Sequence, residues 1–97
     1  MTKEAIVPIV NLNGTSKEEL IKQCSDAYEA LENAKRYLNH MAPHGRDYPG
    51  DFPRYSAAHQ QWLNMDGKLN EVAIMIYEIW EGIDQQQNNR YEQGKNS

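Results

Sequence analysis

The chain has 97 residues, a formal net charge of −4 and a single cysteine. A chain this short holds one domain with a modest core, and one thiol excludes an internal disulfide. No cluster of Lys or Arg supplies the basic stripe that a duplex nucleic-acid backbone needs, so that partner is excluded, while a small nucleotide, needing only one or two cations, is not.

Residues 1–15 read as an extended arm. Pro8 interrupts the apolar run Ile6 to Val10, which forbids a central strand position but permits an edge strand or a packed arm. The apolar stretch is too short for a signal peptide, and no window approaches the ~20 apolar residues of a membrane span. With Cys24 placed among apolar residues, the expectation is a cytoplasmic protein. Asn13 and Gly14 then turn the chain, and two overlapping capping boxes follow, Thr15 with Glu18 and Ser16 with Glu19, which start a helix.

Over 16–41 the apolar residues Leu20, Cys24, Ala27, Leu31, Ala34, Leu38 and Met41 recur in alternating steps of four and three, a heptad seam. Ala42 followed by Pro43 ends the helix, and residues 42–54 are read as a loop. A second seam runs through Tyr55, Ala58, Trp62, Met65, Leu69, Val72, Ile76, Ile79 and Ile83 in a helix over 55–84. Gly67 is its weak point, a place for a kink or a close helix crossing. Two matching seams and one connection predict an all-α fold, an antiparallel two-helix hairpin with an extended N-terminal arm. Residues 72–80 are apolar on more faces than one seam covers, and two helices alone make a thin core. The expected assembly is a homo-oligomeric bundle, with the chain's own copy as partner. Glu78, Glu81 and Asp84 fall where the hairpin would bring them beside Lys17 and Lys22 at the start of helix one. Residues 85–97 are too polar to pack and are expected to be a dispensable, disordered tail.

The 42–54 loop is the most informative segment, because a helix–helix connection needs only a few residues. In it His44, Arg46, Asp47 and Tyr48 surround Gly45, an imidazole, a guanidinium, a carboxylate and a phenol on a turn that backbone lets a ligand approach. Such a set can hold a phosphate or stack on a base; the competing reading has Arg46 and Asp47 pairing with helix ends while Tyr48 and Phe52 plug the hairpin. Asn11, Asn13, Gly14 and Thr15 form a second polar cluster before a helix N-terminus, whose free N–H groups attract anions but which is also what any helix cap requires. One hairpin holds the two clusters roughly 40 Å apart at 1.5 Å per helical residue, so only a neighbouring antiparallel protomer joins them. His40 and His59 lie off the main seam without ligand-spaced neighbours, so neither a metal nor another cofactor is expected. No nucleophile elbow, phosphate-binding glycine loop or paired acidic motif is present, and the chain is not expected to be an enzyme.

The segments Asn11 to Ser16 (NLNGTS) at a helix start and Pro43 to Tyr48 (PHGRDY) after it resemble a group of small uncharacterised helical-hairpin proteins encoded by bacterial viruses, over about residues 10–84. The resemblance assigns no residue a role. It implies a viral accessory protein in a bacterial host cytosol, a class that includes counter-defence factors which sequester cyclic nucleotide signals without cleaving them. On that basis the expected function is sequestration of a phosphate-bearing molecule in subunit-interface pockets. A helical module that docks on a host or viral protein, or a minor virion assembly component, are the alternatives.

Overall fold

A computed structural model of the chain describes residues 4–87. Among them the fold is all-helical, with helix α1 over Lys17–His40, a single 3-10 turn over Gly45–Asp47 and helix α2 over Phe52–Asp84. No strand is present among the described residues. The helices pack antiparallel: Lys17 at the start of α1 meets the end of α2, where its Nζ donates to the carbonyls of Asp84 and Gln86. At the other end the Trp62 indole N–H donates to the Leu38 carbonyl at 2.8 Å. The principal extents are 74, 26 and 17 Å, so the hairpin is a single layer of helices. None of the described helices is long and apolar enough to cross a membrane.

Each helix starts where a side chain accepts an otherwise unpaired backbone N–H. Ser16 Oγ takes the Glu19 N–H at 3.1 Å, so of the two overlapping capping boxes the second supplies the cap of α1. Asp51 Oδ1 takes the Arg54 N–H at 3.0 Å, with Pro53 in the first turn, a position where the missing N–H costs nothing. Hence α2 begins at Phe52, three residues before the onset expected from the seam alone. It runs unbroken through Gly67, and nothing lies within 4 Å of a Cβ built there, so Gly67 marks neither a break nor a close crossing.

The seams are shifted from the expected ones by the same step in both helices. With Cys24, Leu31 and Leu38 as the a row of α1, the groove is completed by Ile21, Tyr28 and Lys35 of the e row, while Ala27, Ala34 and Met41 of the d row are exposed. In α2 the a row of Tyr55, Trp62, Leu69, Ile76 and Ile83 is joined by His59, Asp66, Ala73 and Trp80, while Met65 and Val72 remain 42% and 48% exposed. Volume explains the choice. Tyr28 and Trp80 meet edge to face across the groove, with ring centroids 6.2 Å apart, a contact that two alanines cannot replace. His59, expected off the seam, therefore lies in it, between Tyr55 and Trp62 at ring separations of 6.2 and 6.5 Å. His40 instead sits on the outside, its ring edge-on to Tyr37.

The N-terminal segment is a packed arm rather than a strand. Gln86 holds it with a side-chain amide used as backbone would be: Oε1 accepts the Val10 N–H at 2.9 Å, and Nε2 donates to the Pro8 carbonyl at 2.7 Å. Val10 is 3% exposed and Ile83 beside this end is 1% exposed. Val7 lies against Gly82, where an added Cβ would come within 2.7 Å of its methyl carbon, so this glycine, not Gly67, marks the close approach. Gln85 caps α2 and Gln86 anchors the arm, which removes both from the expected dispensable tail; residues 88–97 lie outside the described part. Lys17 serves the C-terminal carbonyls of α2 rather than its carboxylates, and Lys22 pairs with Asp26 at 2.8 Å on its own helix.

Candidate functional site

The loop between the helices is built from successive turns. The Asp47 N–H donates to His44 O and the Tyr48 N–H to Gly45 O, both at 3.0 Å, and the Asp51 N–H donates to Tyr48 O at 3.1 Å. Gly50 closes the sequence at φ +73°, in the left-handed region that a side chain disfavours. These bonds consume the loop backbone and leave the side chains of His44, Arg46 and Asp47 exposed.

Tyr48 is half-buried, with its ring 5.9 Å from that of Tyr55, and Phe52 lies 6.3 Å from the same ring. Of the plug reading, Tyr48 packs on Tyr55 at the end of the hairpin, whereas Phe52 is 73% exposed and closes nothing. Its ion-pairing part does not hold. Among the described residues Arg46 forms no ion pair, whereas Arg54 lies 3.6 Å from the Asp51 carboxylate.

Two open hollows flank Tyr48. One, of about 260 Å³, is lined by Asp47, Tyr48, Pro49, Asp51 and Arg54; the other, of about 380 Å³, by Gly45, Tyr48, Gly50, Asp51, Phe52 and Tyr55. Arg46 lines neither, and the cation at the first is Arg54, outside the expected set. Two carboxylates against one guanidinium make that hollow a poor phosphate seat by charge alone. Asp51 and Arg54 were legible as a cap at three-residue spacing, but their place beside Tyr48 depends on the turn at Gly50.

The second cluster is largely absorbed by its own turn. The Asn13 N–H donates to Asn11 Oδ1 at 3.0 Å, Asn11 Nδ2 donates to Ile9 O at 2.8 Å, and the Gly14 N–H donates to Asn11 O at 3.3 Å. Both ends of the Asn11 amide are therefore engaged, while Asn13 and Thr15 stand exposed. The structure does not bring this cluster to the His44 loop within one chain, since the length of α1 separates them.

A third concavity, about 470 Å³, lies along the groove between the helices and is lined by Tyr28, Glu32, Lys35, Asn70, Ala73, Ile74 and Tyr77. Sequence reasoning missed it because it assigned Tyr28 and Ala73 to no seam. No group of three or more His, Cys, Asp or Glu able to hold a metal occurs among the described residues. Cys24 is half-buried, and desolvation raises the pKa of its thiol, which keeps it protonated and unreactive as a nucleophile. Set against family models, curated proteins and solved structures, the chain matches none.

Proposed function

We propose that this chain is a non-catalytic binding protein that acts as a homo-oligomer and holds a phosphate-bearing small molecule against the 42–54 loop. The observation that carries the reading is Arg46. Its guanidinium stands exposed on a hydrogen-bonded 3-10 turn, with no ion pair among the described residues, and an uncommitted fork of donors suits a phosphate. His44 beside it adds a second donor, and Gly45 leaves open space, with nothing within 4 Å of its Cβ position. The ligand would rest on the Arg46 side of the turn, away from the acidic hollow at Asp47 and Asp51, with Asn13 and Thr15 of a neighbouring copy completing the seat. In the viral setting that the sequence resemblance implies, such a protein would sequester a nucleotide signal of the host.

Thermal-shift measurements against cyclic di- and trinucleotides and cyclic ADP-ribose variants test this. A ligand at 100 times its Kd adds about 2.7 kcal/mol to the native state, and Arg46→Ala is expected to abolish that shift. No shift across the panel would remove the proposal. A second reading, a module that docks on a protein partner, is favoured by the inter-helix groove, where Ile74 and Tyr77 remain exposed beside Lys35 and Glu32. Loss of a pulled-down partner on Tyr77→Ala, with Arg46→Ala silent, would select it.

A further inference from the structure

We infer that the face of the hairpin carrying the d and g rows is covered by a second copy of this chain, laid face to face with its loop end over the first copy's arm end. The inference deepens the oligomeric part of the proposed function and stands or falls without any ligand. Viewed down the bundle from one end, residues wind clockwise in α1 and counter-clockwise in α2, so the rows preceding the shared a row fall on the same side of the hairpin. The groove agrees, since the residues on its opposite side, Tyr28 and Lys35 with Asn70 and Tyr77, line one concavity together.

The two faces differ in charge. On the groove side the e and b rows carry Glu18, Glu32 and Lys35 of α1 and Asp66 and Asp84 of α2, whereas the d and g rows carry no charge on α1 and two on α2, Arg54 and Lys68. Between these positions α1 presents Ala27, Ala30 and Ala34, and α2 presents Met65, Val72 and Met75. A surface helix facing water is polar on its outer rows; a second, largely apolar stripe on both helices, without charge on α1, is the pattern of a bundle with a further layer. Size also fits. The 24 residues of α1 and two helix widths give a face of roughly 36 by 20 Å, on the order of the ~800 Å² per partner of a stable interface.

The occupant must be present whenever the chain folds, because only Val10, Ala73 and Ile83 are buried apolar residues among those described, too few for a domain of this length. A second copy alone meets that condition. Its orientation follows from the arm. Gly82 and Gln86, which hold the arm, belong to the g and d rows, so the arm sits at one end of this face. Copies laid with like ends together would bring two arms into collision. Opposite ends place the exposed Ile6 and Ile9 of each arm against the exposed Met41 of the other's loop end, and set the Arg46 loop beside the partner's turn at residues 11–14.

The test uses the full chain without ligand. Light scattering at micromolar concentration is expected to give the mass of two chains; a monomer overturns the inference. Val72→Glu is expected to weaken association by at least about 100-fold, because two-fold symmetry buries two unpaired carboxylates, while Ile74→Glu, one turn face away and more exposed, leaves it unchanged. Equal effects overturn the inference. Should Val72→Glu unfold the chain, spin labels on Asp47→Cys in a Cys24→Ser background decide independently: opposite ends give a pair distance above about 30 Å along the helix axis, and a shorter one overturns the arrangement. An Arg46→Ala protein that keeps its dimer mass but loses ligand separates this inference from the binding proposal.

Discussion

The two ends of the hairpin solve the same problem in different ways. At the arm end, backbone groups that would be left open are taken up by side chains from distant sequence: Gln86 serves Val10 and Pro8, and Lys17 serves the last carbonyls of α2. At the loop end the turns close on themselves through bonds of three-residue reach, and the side chains of His44, Arg46 and Asp47 remain exposed. Long-range closure fixes an end and spends its polar groups; local closure holds backbone equally well and leaves side chains available. The proposed binding role rests on the second kind of end.

Truncation after Asp84 breaks this contrast most severely. It removes the Gln86 amide that meets the Val10 N–H and the Pro8 carbonyl, while Lys17 keeps only the Asp84 carbonyl, a loss of about 3 kcal/mol visible as a fall in denaturation midpoint. Truncation after Gln87 is expected to leave the midpoint unchanged. If the two shortened chains behave alike, the arm is not held by Gln86.

Gly82→Leu attacks the same end by crowding. The arm must leave Val7's position, a cost of about 2 kcal/mol typical of overpacking, and the amide of Val10 should then exchange with solvent deuterium at the rate of an open segment. The two helix starts should respond equally: Ser16→Ala and Asp51→Ala each remove one cap, about 1 kcal/mol apiece. Unequal losses by chemical denaturation would show that one end relies on its cap for tertiary closure as well. Smallest of all is Arg46→Ala, expected to change stability by less than about 0.5 kcal/mol, since its side chain is exposed and unpaired. A larger loss would make the loop end a structural closure like the other.

Helix starts and the a rows were legible because both rest on interactions within a turn or two: Ser16 with Glu19, and the seven-residue return of Cys24, Leu31 and Leu38. The loop was legible as a loop, and Arg46 as its exposed cation. The hollow beside Tyr48 was not, because it depends on Gly50 turning Asp51 and Arg54 back toward the ring. Nor was Gln86, whose amide reads as part of a polar run until the arm 76 residues earlier in the chain is laid against it.

The sequence by itself determined two amphipathic helices, their polarity and the connection between them, since period, caps and proline act locally. Only the tertiary structure decided which row beside the a row turns inward. Each helix carries apolar residues on both flanks of that row, and a single partner helix can cover one of them. The aromatic rings of Tyr28, Trp62 and Trp80 have the volume to fill the space between two helix axes, so their side of the groove closes. The alanine, methionine and valine rows of the other side are left facing outward.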